Sequence, residues 1–292
     1  MQIVPNTVPL AAGTIILIAL AALAPGTHAL AANAGGSAGH KLVPHRAVYD
    51  MKLADAEEQA GIAGLKGRMV YDFSGDACEG YSVNFRFVTE FQDKNGSSQI
   101  TDLQTTSFEE PNAESYQFLA KTFVDRKLVE STRGTARAGE GSITVELKEP
   151  FEKSVRIGSD VLFPTEHLLS IMKAADDGVH FVAADIYDGA ETGEKVYATT
   201  TVIGTNARND VAADSAGGVA SLDGLAYWPV TVAYFDPDKD DASGELMPVY
   251  QLSFRLFENG ISGRLNLDYG DFTIQGQMAS LELYEETECP RP

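Results

Sequence analysis

The sequence predicts a mostly-β fold, built on a long antiparallel sheet with one short helix. Three observations carry this reading. Apolar and polar residues alternate with a period of two in segment after segment from Val43 onward. Gly-containing turns such as Asn-Gly and Asp-Gly separate those segments. Only one stretch repeats its apolar residues at helical spacing. Alternation of this kind suits antiparallel strands with one wet face. Parallel strands would read as solid apolar runs joined by helices, and the sequence lacks both.

The first forty residues differ in kind. Residues 10–24, "LAAGTIILIALAALA", form an uncharged apolar run, followed by small residues. A membrane span needs about 20 apolar residues, so the run fits a signal peptide better. "THA" at 27–29 and "ALA" at 29–31 both fit the cleavage pattern. The segment before the run carries no Lys or Arg, so a retained anchor stays as the alternative. No cysteine follows closely enough for a lipid anchor. The expected organisation is a signal peptide over 1–31, a flexible segment over 32–41 and a single β domain over 42–292.

The strands then follow in order. Residues 47–53, "AVYDMKL", place Ala47, Tyr49, Met51 and Leu53 on one face. Residues 68–73 align Met69, Tyr71 and Phe73. Residues 81–91 are the cleanest case, with Tyr81, Val83, Phe85, Phe87 and Phe91 against Ser82, Asn84, Arg86 and Glu90. Residues 116–124, 142–148, 194–204, 227–235, 249–257, 264–269 and 280–285 continue the pattern. Turns are expected at 93–98, 187–189, 258–260 and 268–271. Residues 163–178, "FPTEHLLSIMKAADDG", read as the helix. Thr165 is its candidate N-cap, Leu168, Leu169, Met172 and Ala175 share a face, and Gly178 closes it. Residues 205–224 read as a long loop or hairpin tip. Pro229 beside Trp228 suggests a strand end or edge, and Trp228 reads as core.

Composition bounds the function. Hydrophobic residues make up 44% of the 292, enough for a sizeable core. The formal net charge of -20 repels phosphate backbones and anionic headgroups, so no nucleic acid partner is expected. The two cysteines, Cys78 and Cys289, are too far apart for a CxxC, so the redox-catalytic and zinc readings lose support. In an oxidising compartment two thiols pair, with two unrelated buried thiols as the alternative.

No catalytic, cofactor or metal site rises above the background. Asp236, Asp238 and Asp240 alternate as in a calcium loop, but Asp241 and Met247 stand where Gly and Glu are needed. His28, His40, His45, His167 and His180 show no metal-ligand spacing, and His167 reads as structural. There is no G-x-S-x-G and no phosphate-cradling glycine loop. Asp268 and Asp271 form a carboxylate pair of the kind a glycosidase uses, in a chain with 42 acidic residues.

Several segments taken together resemble the EipB family, periplasmic cell-envelope integrity proteins of Gram-negative bacteria. They are 42–53, 67–89, 163–168, 185–197, 228–236, 250–262 and 267–272, in this order. The resemblance runs from about Leu42 to Cys289. It implies a bent antiparallel sheet curled into a spiral or open barrel, with a helix packed against it. It implies that Cys78 and Cys289 match the family's disulfide pair. It also implies a role in keeping the envelope intact under stress, with no established reaction. The resulting expectation is a periplasmic, non-enzymatic scaffold or binding protein without a cofactor. Its expected partners are other periplasmic or envelope proteins, with a lipid or glycan ligand open. An envelope lipid or glycan carrier and a carboxylate-dependent hydrolase are the alternatives.

Overall fold

The computed structural model describes residues 41–209, 220–238, 247–285 and 289. The expected signal peptide lies outside them, as do residues 32–40 of the flexible segment, Asp240 and Asp241. The described chain opens with eight strands in succession. These are β1 (His45–Ala56), β2 (Ile62–Asp76), β3 (Gly80–Asp93), β4 (Ser98–Glu109), β5 (Ser115–Val124), β6 (Lys127–Gly139), β7 (Ser142–Glu149) and β8 (Lys153–Ile157). Helix α1 (Pro164–Asp176) follows. A second run holds β9 (Phe181–Ile186), β10 (Tyr197–Ile203), the short β11 (Ala207–Arg208), β12 (Ala226–Phe235), β13 (Tyr250–Phe257), β14 (Ser262–Asp268) and β15 (Phe272–Leu283).

One sheet contains all of these strands, in the order β8-β7-β6-β5-β4-β3-β2-β1-β15-β14-β13-β12-β10-β9, with β11 on β12. Each ladder between them is antiparallel, as the alternation predicts. The two arms meet where β1 pairs with β15, from His45 opposite Leu283 to Ala56 opposite Phe272. The sheet has two ends and does not close. The expected turn glycines Gly96, Gly189, Gly260 and Gly270 all have positive φ.

Curling of the sheet places apolar faces of distant strands against each other. One core cluster joins Ala47, Tyr49 and Met51 of β1 to Phe257, Leu265, Ile274 and Met278. A second packs Ile171, Met172 and Ala175 of the helix among Phe73, Tyr81, Ile203, Trp228 and Val230. A third sets Val161, Phe163 and Tyr187 on Tyr116, Phe118, Val145 and Leu147. The segment before the helix also runs beside β9, where the Leu162 N–H donates to the Asp185 carbonyl at 2.8 Å.

Two local expectations need correction. Thr165 is not the N-cap. Pro164 takes the first helical position, because its fixed φ suits it and its missing N–H costs nothing there. Phe163 therefore becomes the capping residue, and its side chain makes no capping bond. Pro229 lies inside β12 rather than at its end, opposite Arg255 of β13. On its other side the ladder is interrupted, since β10 pairs only as far as Val230 and β11 resumes at Tyr227. Trp228 is buried in the second cluster, as expected.

Candidate functional site

The two cysteines come together. Cys78, in the turn between β2 and β3, is joined to Cys289, with Cα atoms 5.8 Å apart and a sequence separation of 211. Asp76 shapes that turn by accepting the N–H groups of Cys78 and Glu79 at 2.7 and 2.9 Å. The tail after β15 is guided toward it: the Tyr284 N–H donates to the Pro44 carbonyl and its hydroxyl to Asp72. Asp76 and the two sulfurs lie within metal-cluster distance, but joined sulfurs offer no thiolate.

The remaining predicted candidates are dispersed. Asp236 is buried and its carboxylate meets the Lys195 ammonium at 2.9 Å, while residues 239–246 of the calcium-like stretch lie outside the described residues. Asp268 accepts the Gly270 N–H at 2.9 Å and so shapes the β14–β15 turn, where Asp271 is exposed. The His45 and His180 rings each sit within hydrogen-bond distance of a backbone carbonyl, of Val43 and Ile203. His167 is buried on α1 with its Nε2 unpartnered among the described residues, and burial pushes its pKa down to about 4.

The structure assembles two groupings that sequence reasoning missed. The first is the helix cap. Glu109, at the end of β4, accepts the Thr165 and Glu166 N–H groups, each at 2.9 Å. It thereby satisfies the helix start that Phe163 leaves open. Burial raises its pKa to about 7, outweighing the opposing bonds from Thr165 and Glu166.

The second grouping is a row of rings crossing five strands and a turn. Tyr197 of β10 meets Tyr234 of β12 edge-on at 6.3 Å. Tyr234 stacks on Tyr250 of β13 at 4.3 Å. Tyr250 lies 6.0 Å from Tyr269 in the β14–β15 turn, which stacks on Phe272 of β15 at 5.0 Å. Phe272 then meets Phe91 of β3 edge-on at 6.1 Å. Strand pairing creates the row, since Tyr234 stands directly opposite Tyr250 in the ladder. Tyr234 continues the core-facing alternation of Trp228, Val230 and Val232. Exposure is 7% at Tyr197, intermediate at Tyr234 and Tyr250, and highest at Tyr269 with 38%, before the half-buried Phe272 and Phe91.

Charge is fixed at the buried end of this row. Lys195, with its side chain 18% exposed, pairs with Glu191 at 2.6 Å as well as with Asp236. The Tyr197 hydroxyl donates to Glu191 at 2.6 Å. Burial opposes the Lys195 charge, but its bonds to Glu191 and Asp236 outweigh this and hold its pKa above the usual value. The signal for the row was present in sequence as tyrosines within alternating strands, but which strands are neighbours was not.

The chain as a whole is similar to known proteins. The cell envelope integrity protein EipB of Brucella abortus (strain 2308) is 41% identical over 245 residues, covering 84% of this chain and 85% of that protein. A crystal structure described as a beta-barrel-like protein of domain of unknown function DUF1849, from Brucella abortus, superposes with a TM-score of 0.77. It is 41% identical and covers 84% of this chain and 99% of that one. The EipB-like family matches residues 37–285, and the chain belongs to that family.

Proposed function

We propose that the protein is a non-enzymatic, periplasmic binding scaffold that supports envelope integrity. The row from Tyr197 to Phe91 is the observation that carries this reading. Rings offer large contact area at low cost in side-chain ordering, and the row presents an exposed Tyr269 on buried and half-buried neighbours. Membership of a family with an envelope-integrity member supports the cellular role. The disulfide supports an oxidising compartment.

A carrier of envelope lipid or glycan is a second reading. It is favoured by the partly buried apolar residues Phe85, Phe87, Phe254 and Leu267, which pack against the first core cluster near the row. Lipid recovered with the purified protein, seen by mass spectrometry, would select it.

The test is complementation of a deletion strain under detergent stress. Tyr269→Ala is expected to reduce survival while melting temperature and protein level stay near wild type. Asp271→Asn is expected to leave survival unchanged. The reverse pattern, with Asp271→Asn inactive yet stably folded, would replace the scaffold by a carboxylate-dependent enzyme.

A further inference from the structure

The wet face of the first arm carries a groove separate from the row of rings. It has a volume of about 380 Å³, within the range of small-ligand sites. Asn84, Thr106, Phe108, Gln117, Arg133 and Lys148 line it, from five successive strands. Pairing explains the convergence: Asn84 stands opposite Thr106, Phe108 opposite Gln117, and Leu119 opposite Arg133.

Three features set this groove apart from an ordinary sheet surface. Its lining holds two cations and no Asp or Glu, in a chain with 42 acidic residues against 22 basic ones. The second cation is positioned by a bulge. Arg133 pairs with Glu149 and Gly134 with Leu147, which leaves Lys148 as the extra residue of β7. Bulges of this kind re-aim side chains and recur beside functional sites. The nearby carboxylates are engaged: Glu149 with Arg133 at 3.1 Å and with the Ser131 hydroxyl, and Glu146 with the Ser154 hydroxyl at 2.7 Å. Lys148 makes no ion pair among the described residues.

We propose that this groove binds a carboxylated sugar segment. Lys148 pairs with the carboxylate as a charge-assisted donor. The Asn84 and Gln117 amides and the Thr106 hydroxyl exchange hydrogen bonds with sugar hydroxyls. The Phe108 ring offers an apolar face for the sugar ring. This surface lies opposite the core-facing side that carries the rings, so the two readings stand or fall separately.

The experiment is a nitrogen-15 NMR titration of the disulfide-intact protein with three probes. These are the disaccharide N-acetylglucosaminyl-N-acetylmuramic acid, the neutral disaccharide chitobiose, and inorganic phosphate. The acidic disaccharide is expected to shift amides around Asn84, Thr106, Gln117 and Lys148, and to bind at least about fivefold tighter than chitobiose. Lys148→Gln should bring the two sugars to parity, and Lys148→Arg should restore the difference. The variant's own spectrum checks that it is folded. Absence of groove shifts at millimolar probe would overturn the proposal, as would equal binding of chitobiose by the wild type. Phosphate binding as tightly as the acidic sugar would also overturn it, by reducing the groove to an anion site.

Discussion

Glu109 and His167 sit at the same helix start and respond to pH in opposite directions. The pKa of Glu109 is raised to about 7 in the fold. Its contribution to stability is therefore complete below the ordinary carboxylate value and is lost as pH rises through about 7. The pKa of His167 is lowered to about 4 from 6.5. Its contribution is present above pH 6.5 and is lost as pH falls through about 4. Guanidinium unfolding between about pH 4 and 8 separates the two effects. Glu109→Gln is expected to remove the part of the slope that weakens the wild type toward neutral pH. His167→Gln should remove the part that weakens it toward acid. A Glu109→Gln slope matching wild type throughout would show that the carboxyl takes up no proton in this window. Sequence could not mark Glu109, because its partners lie 56 and 57 positions away and its own neighbourhood reads as a polar turn.

Elements were legible in sequence where the buried face is built from large residues. Strand β3 is read directly, because Tyr81, Val83, Phe85 and Phe87 alternate with polar groups. Strand β6 is not, because its buried positions are Thr132, Gly134 and Ala136. The reason is steric. A Cβ on Gly134 would approach the Phe118 ring to 2.7 Å and the Leu147 side chain to 3.0 Å, so neighbouring strands fill the space. The connection between β9 and β10 obeys the same constraint. Gly189 has φ +70°, and a Cβ there would overlap the Phe118 ring. Gly189→Ala is expected to destabilise the fold by about 1–3 kcal/mol, through strain and overpacking together. Chemical denaturation measures this, and a loss under about 0.5 kcal/mol would mean that the loop can move away from β5.

At the scale of the molecule, the helix, the antiparallel pairing and the core-facing rings followed from the residue pattern. The meeting of β1 with β15 did not, since no local period encodes a neighbour more than 200 positions away. The disulfide acts across that same distance. Loop-closure entropy for 211 positions gives an upper estimate of about 5 kcal/mol. Cys78→Ser should lower the melting temperature clearly and by nearly as much as Cys78→Ser/Cys289→Ser, because either change opens the loop. A single variant as stable as wild type would show that the tail is held by its other contacts alone. The strand order also has a consequence for export. In a periplasmic protein that crosses the membrane N-terminus first, β1 arrives first and β15 last, yet these two are partners at the middle of the sheet. The first arm can assemble hairpin by hairpin as it emerges, but the far edge of β1 then waits, bare, through the appearance of the whole second arm. An unpaired edge is a template for other chains. A vulnerable interval for such a chain is thus the one before β15 arrives, and a chaperone that covers β1 would guard the seam until then.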